Sequence, residues 1–139
     1  MAKKGTLTWQ KKKTWDAFSK YIRERDWKAQ GEQYVGDKKS ASCVTCSKMY
    51  PVEGQGTMQA GHFIPGRNNH VLFNEDQVNS QCYNCNVNLK GNWTAYYKVM
   101  VDRHGLDKVT EMIDTHKTER IYKIPELEEL EKKYKSLII

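Results

Sequence analysis

Apolar residues recur at helical spacing in four stretches of the chain. Trp15, Phe18 and Ile22, with Tyr21 beside them, predict a helix from about Thr14 to Asp26, whose other face carries Lys20, Arg23 and Arg25. Trp93, Tyr96, Tyr97 and Met100 fall at i, i+3, i+4 and i+7, inside a helix predicted to start near Asn86 and to stop at Gly105. Leu106, Val109, Met112 and Ile113 mark a third helix, to about Thr115. Leu127, Leu130, Tyr134 and Leu137 mark a fourth, opened by Ile124-Pro125. Glu126, Glu128 and Glu129 near its start and Lys132, Lys133 and Lys135 near its end suit the helix dipole.

The segment between the first two helices is different. Residues 28–42 contain two glycines and no sustained period, which predicts a loop, and Gly54 and Gly56 break the chain after Pro51. Thr57 to Ile64 reads as a strand ending at Pro65, and His70 to Phe73 as a second strand. Residues 1–13 are polar and basic, and are expected to be a flexible arm. Residues 14–139 then form a single α+β domain. Its small core lies at about 43–100, embedded in a mostly helical chain with C-terminal helices at about 93–139.

Composition narrows the class. The chain has 139 residues, of which 38% are apolar and 29% charged. That is too apolar for a disordered chain. No apolar run approaches the roughly 20 residues of a membrane span, so no membrane partner is expected. No apolar segment follows the basic N-terminus, which argues against a secretory signal. The formal charge is +6, and it is all in one part: residues 1–60 hold 12 basic and 6 acidic side chains, residues 61–139 hold 11 of each. A polyanionic partner follows from that excess, with Lys11, Lys12, Lys13, Arg23 and Arg25 as a grip on nucleic-acid backbone.

The four cysteines form two C-x2-C pairs, Cys43/Cys46 and Cys82/Cys85, separated by 35 residues. In a reducing compartment, paired spacing with no cysteine left over points to four thiolates on a structural Zn2+. The insert between the pairs carries His62 on a strand. Asn86 follows the last cysteine directly, where it suits a helix N-cap, a metal ligand or both. This combination suits phosphodiester hydrolysis. His62 takes the proton of the attacking water, and a divalent ion held partly by Asn86 neutralises charge at phosphorus. Arg67 and Lys90 are placed to contact phosphate.

Ala60-Gly61-His62-Phe63, Phe73-Asn74-Glu75, Gln81-Cys82-x2-Cys85-Asn86, Gly91-Asn92 and Phe18-x3-Ile22-Arg23-Glu24-Arg25-Asp26 together resemble the lambdoid-phage NinG (Rap) recombination endonucleases. These fall within the HNH, or ββα-metal, nucleases with a four-cysteine zinc site. The resemblance implies a zinc-stapled ββα-metal core, Asn86 on a catalytic Mg2+ or Mn2+, and cutting of branched DNA such as Holliday junctions and D-loops. It also implies work in the cytoplasm of a bacterial host, and symmetric incision suits a homodimer. Two departures stand out. Gly61 occupies the position before the base where many HNH enzymes place an acidic ligand. The middle asparagine of the motif falls near Gln77, with Asn74 as an alternative. Gln59, Asn74 or Asn88 then completes the metal shell, or the metal comes with substrate phosphate. The other functions weighed are a nickase or restriction-type endonuclease on duplex DNA, and a zinc-knuckle DNA-binding protein without catalysis.

Overall fold

The computed structural model describes residues 2–54 and 57–138. Met1, at the head of the expected arm, and Gly56, expected as a breaker, lie outside them. The first helix, α1 (Leu7–Ala29), starts seven residues earlier than its apolar period predicts. Thr6 caps it, its hydroxyl accepting the Trp9 N–H at 3.2 Å. Most of the expected arm, from Leu7 to Lys13, is therefore helix. The apolar pattern misses these first two turns because their inward residues are polar. Gln10 and Thr14 are buried. Gln10 Nε2 donates to Glu131 Oε1 at 2.8 Å, and the Thr14 hydroxyl donates to the Leu127 carbonyl at 2.8 Å. Both partners lie on the last helix, α5 (Ile124–Ser136).

The expected loop at 28–42 is mostly a hairpin of β1 (Tyr34–Val35) and β2 (Lys38–Ser42), turned at Gly36, and β3 (Met49–Pro51) adds a third antiparallel strand. The first cysteine pair sits in the β2–β3 connection. A separate two-stranded sheet follows, β4 (Gln59–His62) against β5 (Val78–Gln81), in the register Gln59 to Gln81, Gly61 to Asn79 and His62 to Val78. The second strand is thus not His70–Phe73. That stretch makes a single helical turn, α2 (Asn69–Leu72), with Val71 and Leu72 buried. The true partner strand is Val-Asn-Ser-Gln, buried at all four positions. Its polar residues conceal it, because strand signals favour β-branched and aromatic residues.

The helix expected from Asn86 is split. Residues Asn84–Asn88 form one wide π-helical turn, and Lys90, Gly91 and Asn92 all take positive φ before α3 (Trp93–His104) begins. Gly105 at φ +87 then separates α3 from α4 (Leu106–Thr115) as predicted. On α5, Leu127 and Tyr134 are buried as expected, but Leu137 is exposed and the charged Glu131 is buried in its stead.

Three modest apolar clusters replace one large core. Trp27, Ala41, Val52 and Met58 pack around the cysteines. Phe63, Ile64, Tyr96, Met100, Val109 and Met112 join β4 to α3 and α4. Phe18, Ile22, Ala60, Val78 and Tyr134 join α1 to the β4–β5 sheet and α5. Among the described residues, no helix is long and apolar enough to cross a membrane.

Docking of the first turns of α1 carries a stability consequence. Removing residues 1–13 deletes Gln10 and leaves Glu131 Oε1 without its donor, although Lys135 still donates to Oε2. The free energy of urea unfolding is expected to fall by at least about 2 kcal/mol, against less than about 0.5 for removal of residues 1–5. Equal midpoints for the two truncations would mean that these turns are not docked.

Candidate functional site

Strand β4 ends on His62, and the wide turn after β5 carries Asn86. The two side chains line one cavity of about 160 Å³, together with Trp15, Pro65, Arg67, Lys90 and Gly91. A second cavity of about 400 Å³ adjoins it and shares Trp15, Arg67 and Asn86, adding Gln59, Ser19 and Arg23. The imidazole of His62 is held on two sides. Its Nε2 lies 3.1 Å from the Leu72 carbonyl oxygen, and its ring stacks on Trp15 at 5.0 Å with 17° between planes. The Arg67 guanidinium lies 4.5 Å from the Trp15 ring centre. Burial pushes the His62 pKa down to about 4, the Leu72 carbonyl opposes that shift, and nearby Arg67 adds to it. His62 is therefore neutral at pH 7. A carbonyl only accepts, so Nε2 carries the hydrogen and Nδ1 keeps its lone pair.

Asn86 does not cap a helix. Its Nδ2 donates to Gln59 Oε1 at 2.7 Å, bringing two of the predicted ligand residues together. The other two lie elsewhere. Asn88 is exposed and donates to Asn84 at 3.1 Å. Asn74 accepts from the Asp76 N–H and faces a separate cavity with His70 and Gln77. Neither belongs to the His62 site, because the wide turn and the Asn74–Asp76 turn aim them away.

The expected DNA contacts also divide. Lys11 and Lys12 line a cavity of about 300 Å³ that again includes Trp15 and Arg67. Arg23 faces the Gln59–Asn86 cavity and donates to the Val52 carbonyl at 2.8 Å. Lys13 points to the other side of α1, 3.8 Å from Glu131. Arg25 is turned inward, donating to the carbonyls of Glu75 and Val78 at 2.7 and 3.0 Å and to Asn79 at 3.1 Å. It bolts α1 to β5, and its guanidinium is not free for DNA.

Gln77 and Asn74, the expected middle amides, line a cavity apart from His62, whereas Asn79 lies on β5 in the middle of a buried network. Buried opposite Gly61, it accepts from Arg25 and from Arg103 at 3.1 Å and donates to the Tyr96 hydroxyl at 3.1 Å. Tyr96 in turn donates to the Gly61 carbonyl at 2.7 Å, one residue from His62. Burial raises the Tyr96 pKa, so it stays a neutral donor. The sequence gives no local signal for Asn79, Tyr96 or Trp15 as site residues, since each acts through a distant partner. The glycine before the base is equally determined. A Cβ at Gly61 would collide with Gln81 Oε1 and come within 2.9 Å of Gln81 Cβ. Gln81 is fixed there by donating to the Gly91 carbonyl at 2.8 Å and Thr45 at 3.1 Å. An acidic side chain at position 61 is thus excluded while Gln81 holds this place.

All four cysteines are free thiols, and their sulfurs lie within 4.8 Å of one another. Burial pushes Cys82 up to about 12 and raises Cys46. Burial also opposes ionisation of Cys43, but donation from the Cys82 N–H and the Thr45 hydroxyl outweighs it, bringing that thiol down to about 6. Four thiolates this close repel strongly unless a cation sits among them, and the cluster can hold a metal ion.

The whole chain, residues 1–139, matches the family model described as NinG, Bacteriophage Lambda NinG protein. "Protein ninG" of Salmonella phage P22 is 26% identical over 110 residues, covering 78% of this chain and 46% of that protein. The match thus spans less than half of the P22 protein's length. No solved structure matches the chain.

The burial of His62 makes stability depend on pH in a definite direction. Its pKa of about 4 lies below the ordinary 6.5, so the unfolded chain takes up the proton first as pH falls. The stabilisation is complete above pH 6.5 and is lost between 6.5 and 4, to a limit of about 3 kcal/mol. Between pH 7 and pH 4 the wild type is expected to lose about that much more unfolding free energy than His62→Phe. Equal losses would place His62 in solvent.

Proposed function

Because the chain belongs to the bacteriophage Lambda NinG family, we propose that it is a metal-dependent endonuclease of the HNH type that cuts branched DNA. One observation carries this reading: His62 and Asn86 share a cavity whose charged side chains, Arg67 and Lys90, are both basic. His62 is the general base. Leu72 holds Nε2 and Trp15 holds the ring plane, which leaves Nδ1 to take a proton from water. Arg67 and Lys90 bind the phosphate. As Arg67 pairs with that phosphate its positive charge no longer opposes protonation of His62, and the base becomes stronger when substrate is present.

The donor set for a catalytic metal consists of the amide oxygens of Gln59 and Asn86, hard ligands suited to Mg2+ or Mn2+. Among the described residues no carboxylate lines either cavity, so these residues would hold the ion only together with the substrate's own phosphate. When bound, such an ion supplies neutralisation of charge at phosphorus and at the leaving oxygen. The thiol cluster suits Zn2+. Four sulfurs about 2.3 Å from a tetrahedral zinc are about 3.8 Å apart, and Cys46 and Cys82 have sulfurs 3.8 Å apart. Paired incision of a four-way junction calls for two copies, so a homodimer on junction DNA is part of the proposal.

With Mg2+ or Mn2+ the protein is expected to cut labelled Holliday junctions, D-loops and flaps faster than linear duplex. His62→Ala should lower the rate by roughly 10²- to 10⁴-fold. Linear duplex cut as fast as branched DNA would favour the restriction-type function instead. No metal-dependent cutting at all would leave a zinc-knuckle DNA-binding protein. Independently, mass spectrometry under native conditions should find close to one zinc per chain, lost on Cys82→Ser. A wild type that folds and carries no zinc would remove the structural metal from the proposal.

A further inference from the structure

One face of α1 extends on both sides of Trp15, well beyond the contact that Trp15 makes with His62. Thr8, Lys11, Lys12, Trp15, Ser19 and Arg23 follow one another at steps of one, three or four residues and form a single stripe, about 22 Å long at 1.5 Å per residue. Every one of them lines a cavity. Thr8, Lys11 and Lys12 line the first, Ser19 and Arg23 the second, and the His62 cavity opens between them. Trp15 and Arg67 line all three, so the three adjoin along α1, with His62 and Asn86 beside the middle one, and together they make up the α1 groove.

The charges in this groove are of one sign. Lys11, Lys12, Arg23, Arg67 and Lys90 line it, and among the described residues no acidic side chain does. Glu53, Glu24 and Asp16 act on Arg23 but line none of the three cavities: Glu24 pairs with Lys39 at 3.6 Å, and Asp16 is bonded to Lys12 at 2.6 Å and lines the opposite side of the helix. That opposite side mixes signs, with Lys13, Lys20 and Lys135 among Asp16 and Glu131. Lysines adjacent in sequence thus face two electrostatically different surfaces.

We propose that the α1 groove holds one unpaired DNA strand, which runs along the helix and past His62. The inference rests on the nuclease proposal and narrows its substrate. A row of cavities of about 160 to 400 Å³, lined by charge of one sign, has room for single nucleotides rather than for a duplex, and a basic groove is one of the features by which proteins track a single strand. Trp15 is already engaged by His62 and Arg67, so backbone charge rather than stacking carries the fit. At about 3.4 Å per stacked nucleotide, 22 Å of stripe spans roughly six nucleotides. Branched DNA that offers an unpaired arm, such as a flap or D-loop, then fits this site better than a fully paired four-way junction.

The test compares two variants of equal charge change in the full-length protein: Lys11→Gln/Lys12→Gln on the groove and Lys13→Gln/Lys20→Gln on the other side. Fluorescence anisotropy with a labelled 15-nucleotide oligomer, in Ca2+ without Mg2+ or Mn2+, reads binding; circular dichroism confirms that both variants are folded. The groove pair should weaken oligomer binding about tenfold and lower the salt slope by about 1.4, at roughly 0.7 per phosphate contact. The other pair should change affinity less than about threefold. Arg23→Gln, on the same stripe, serves if the groove pair does not fold. Equal effects of the two pairs, or a matched duplex that competes better than the oligomer, would overturn the proposal. If the expected binding pattern is found but wild type cuts no DNA with Mg2+ or Mn2+, the groove assignment is supported and the nuclease proposal fails.

Discussion

Strand β5 is buried along its whole length, yet three of its four residues, Asn79, Ser80 and Gln81, are polar. Buried polar groups cost free energy unless they are bonded, and that requirement fixes the surroundings of this strand. α1 answers with Arg25 on the Val78 carbonyl and the Asn79 side chain, and with Asp26 accepting the Ser80 N–H at 2.7 Å. α3 answers with Tyr96 and Arg103 on Asn79. The first cysteine loop and the corner after the wide turn answer through Thr45 and Gly91 on Gln81. Four elements distant in sequence therefore meet on one strand. The Ser80 hydroxyl and Gln81 Oε1 remain unbonded among the described atoms, a cost carried by the rest of the network.

The same network sets the geometry of the candidate site. β5 holds β4 in register, Tyr96 fixes the Gly61 carbonyl, and His62 follows at the strand end. The thiol cluster holds Cys85 inward, and the next residue, Asn86, faces Gln59 across the cavity. None of the three apolar clusters is large, and a chain of this size gains from a cross-link that a metal among four thiols can supply. The alignment of His62 with Asn86 is then a property of buried polar bonds and sulfur geometry more than of apolar packing.

The sequence reveals those parts whose physics is local. The last three helices follow from apolar period, Gly105 and Pro125, and the cysteine cluster follows from spacing. His62, on a strand between the cysteine pairs, and Asn86, directly after the last cysteine, stand out in the sequence, and the fold brings them to one cavity. Hidden parts are those where polar residues are buried. The first turns of α1 turn Gln10 and Thr14 inward, and β5 looks like a loop because its stabilisation comes from Arg25, Asp26 and Tyr96. Arg25 and Lys13 look like solvent-facing charge on a helix, and only tertiary contacts distinguish them from Lys11 and Lys12. The wide turn was illegible for a related reason: it depends on Cys85 reaching the thiol cluster and on three successive positive φ angles, two of them at non-glycine residues.

The contact of Gly61 with Gln81 couples two positions into one evolutionary unit. A carboxylate cannot enter at 61 until the side chain at 81 has been cut back, and cutting back Gln81 first releases Thr45 and Gly91. Either single step passes through a less stable protein, so the two changes are accessible only together. On the proposed mechanism this lock has a benefit for the cell that carries the protein. A site lined by no carboxylate among the described residues would not load an ion on its own, so the protein would rest unarmed until DNA itself completed the centre.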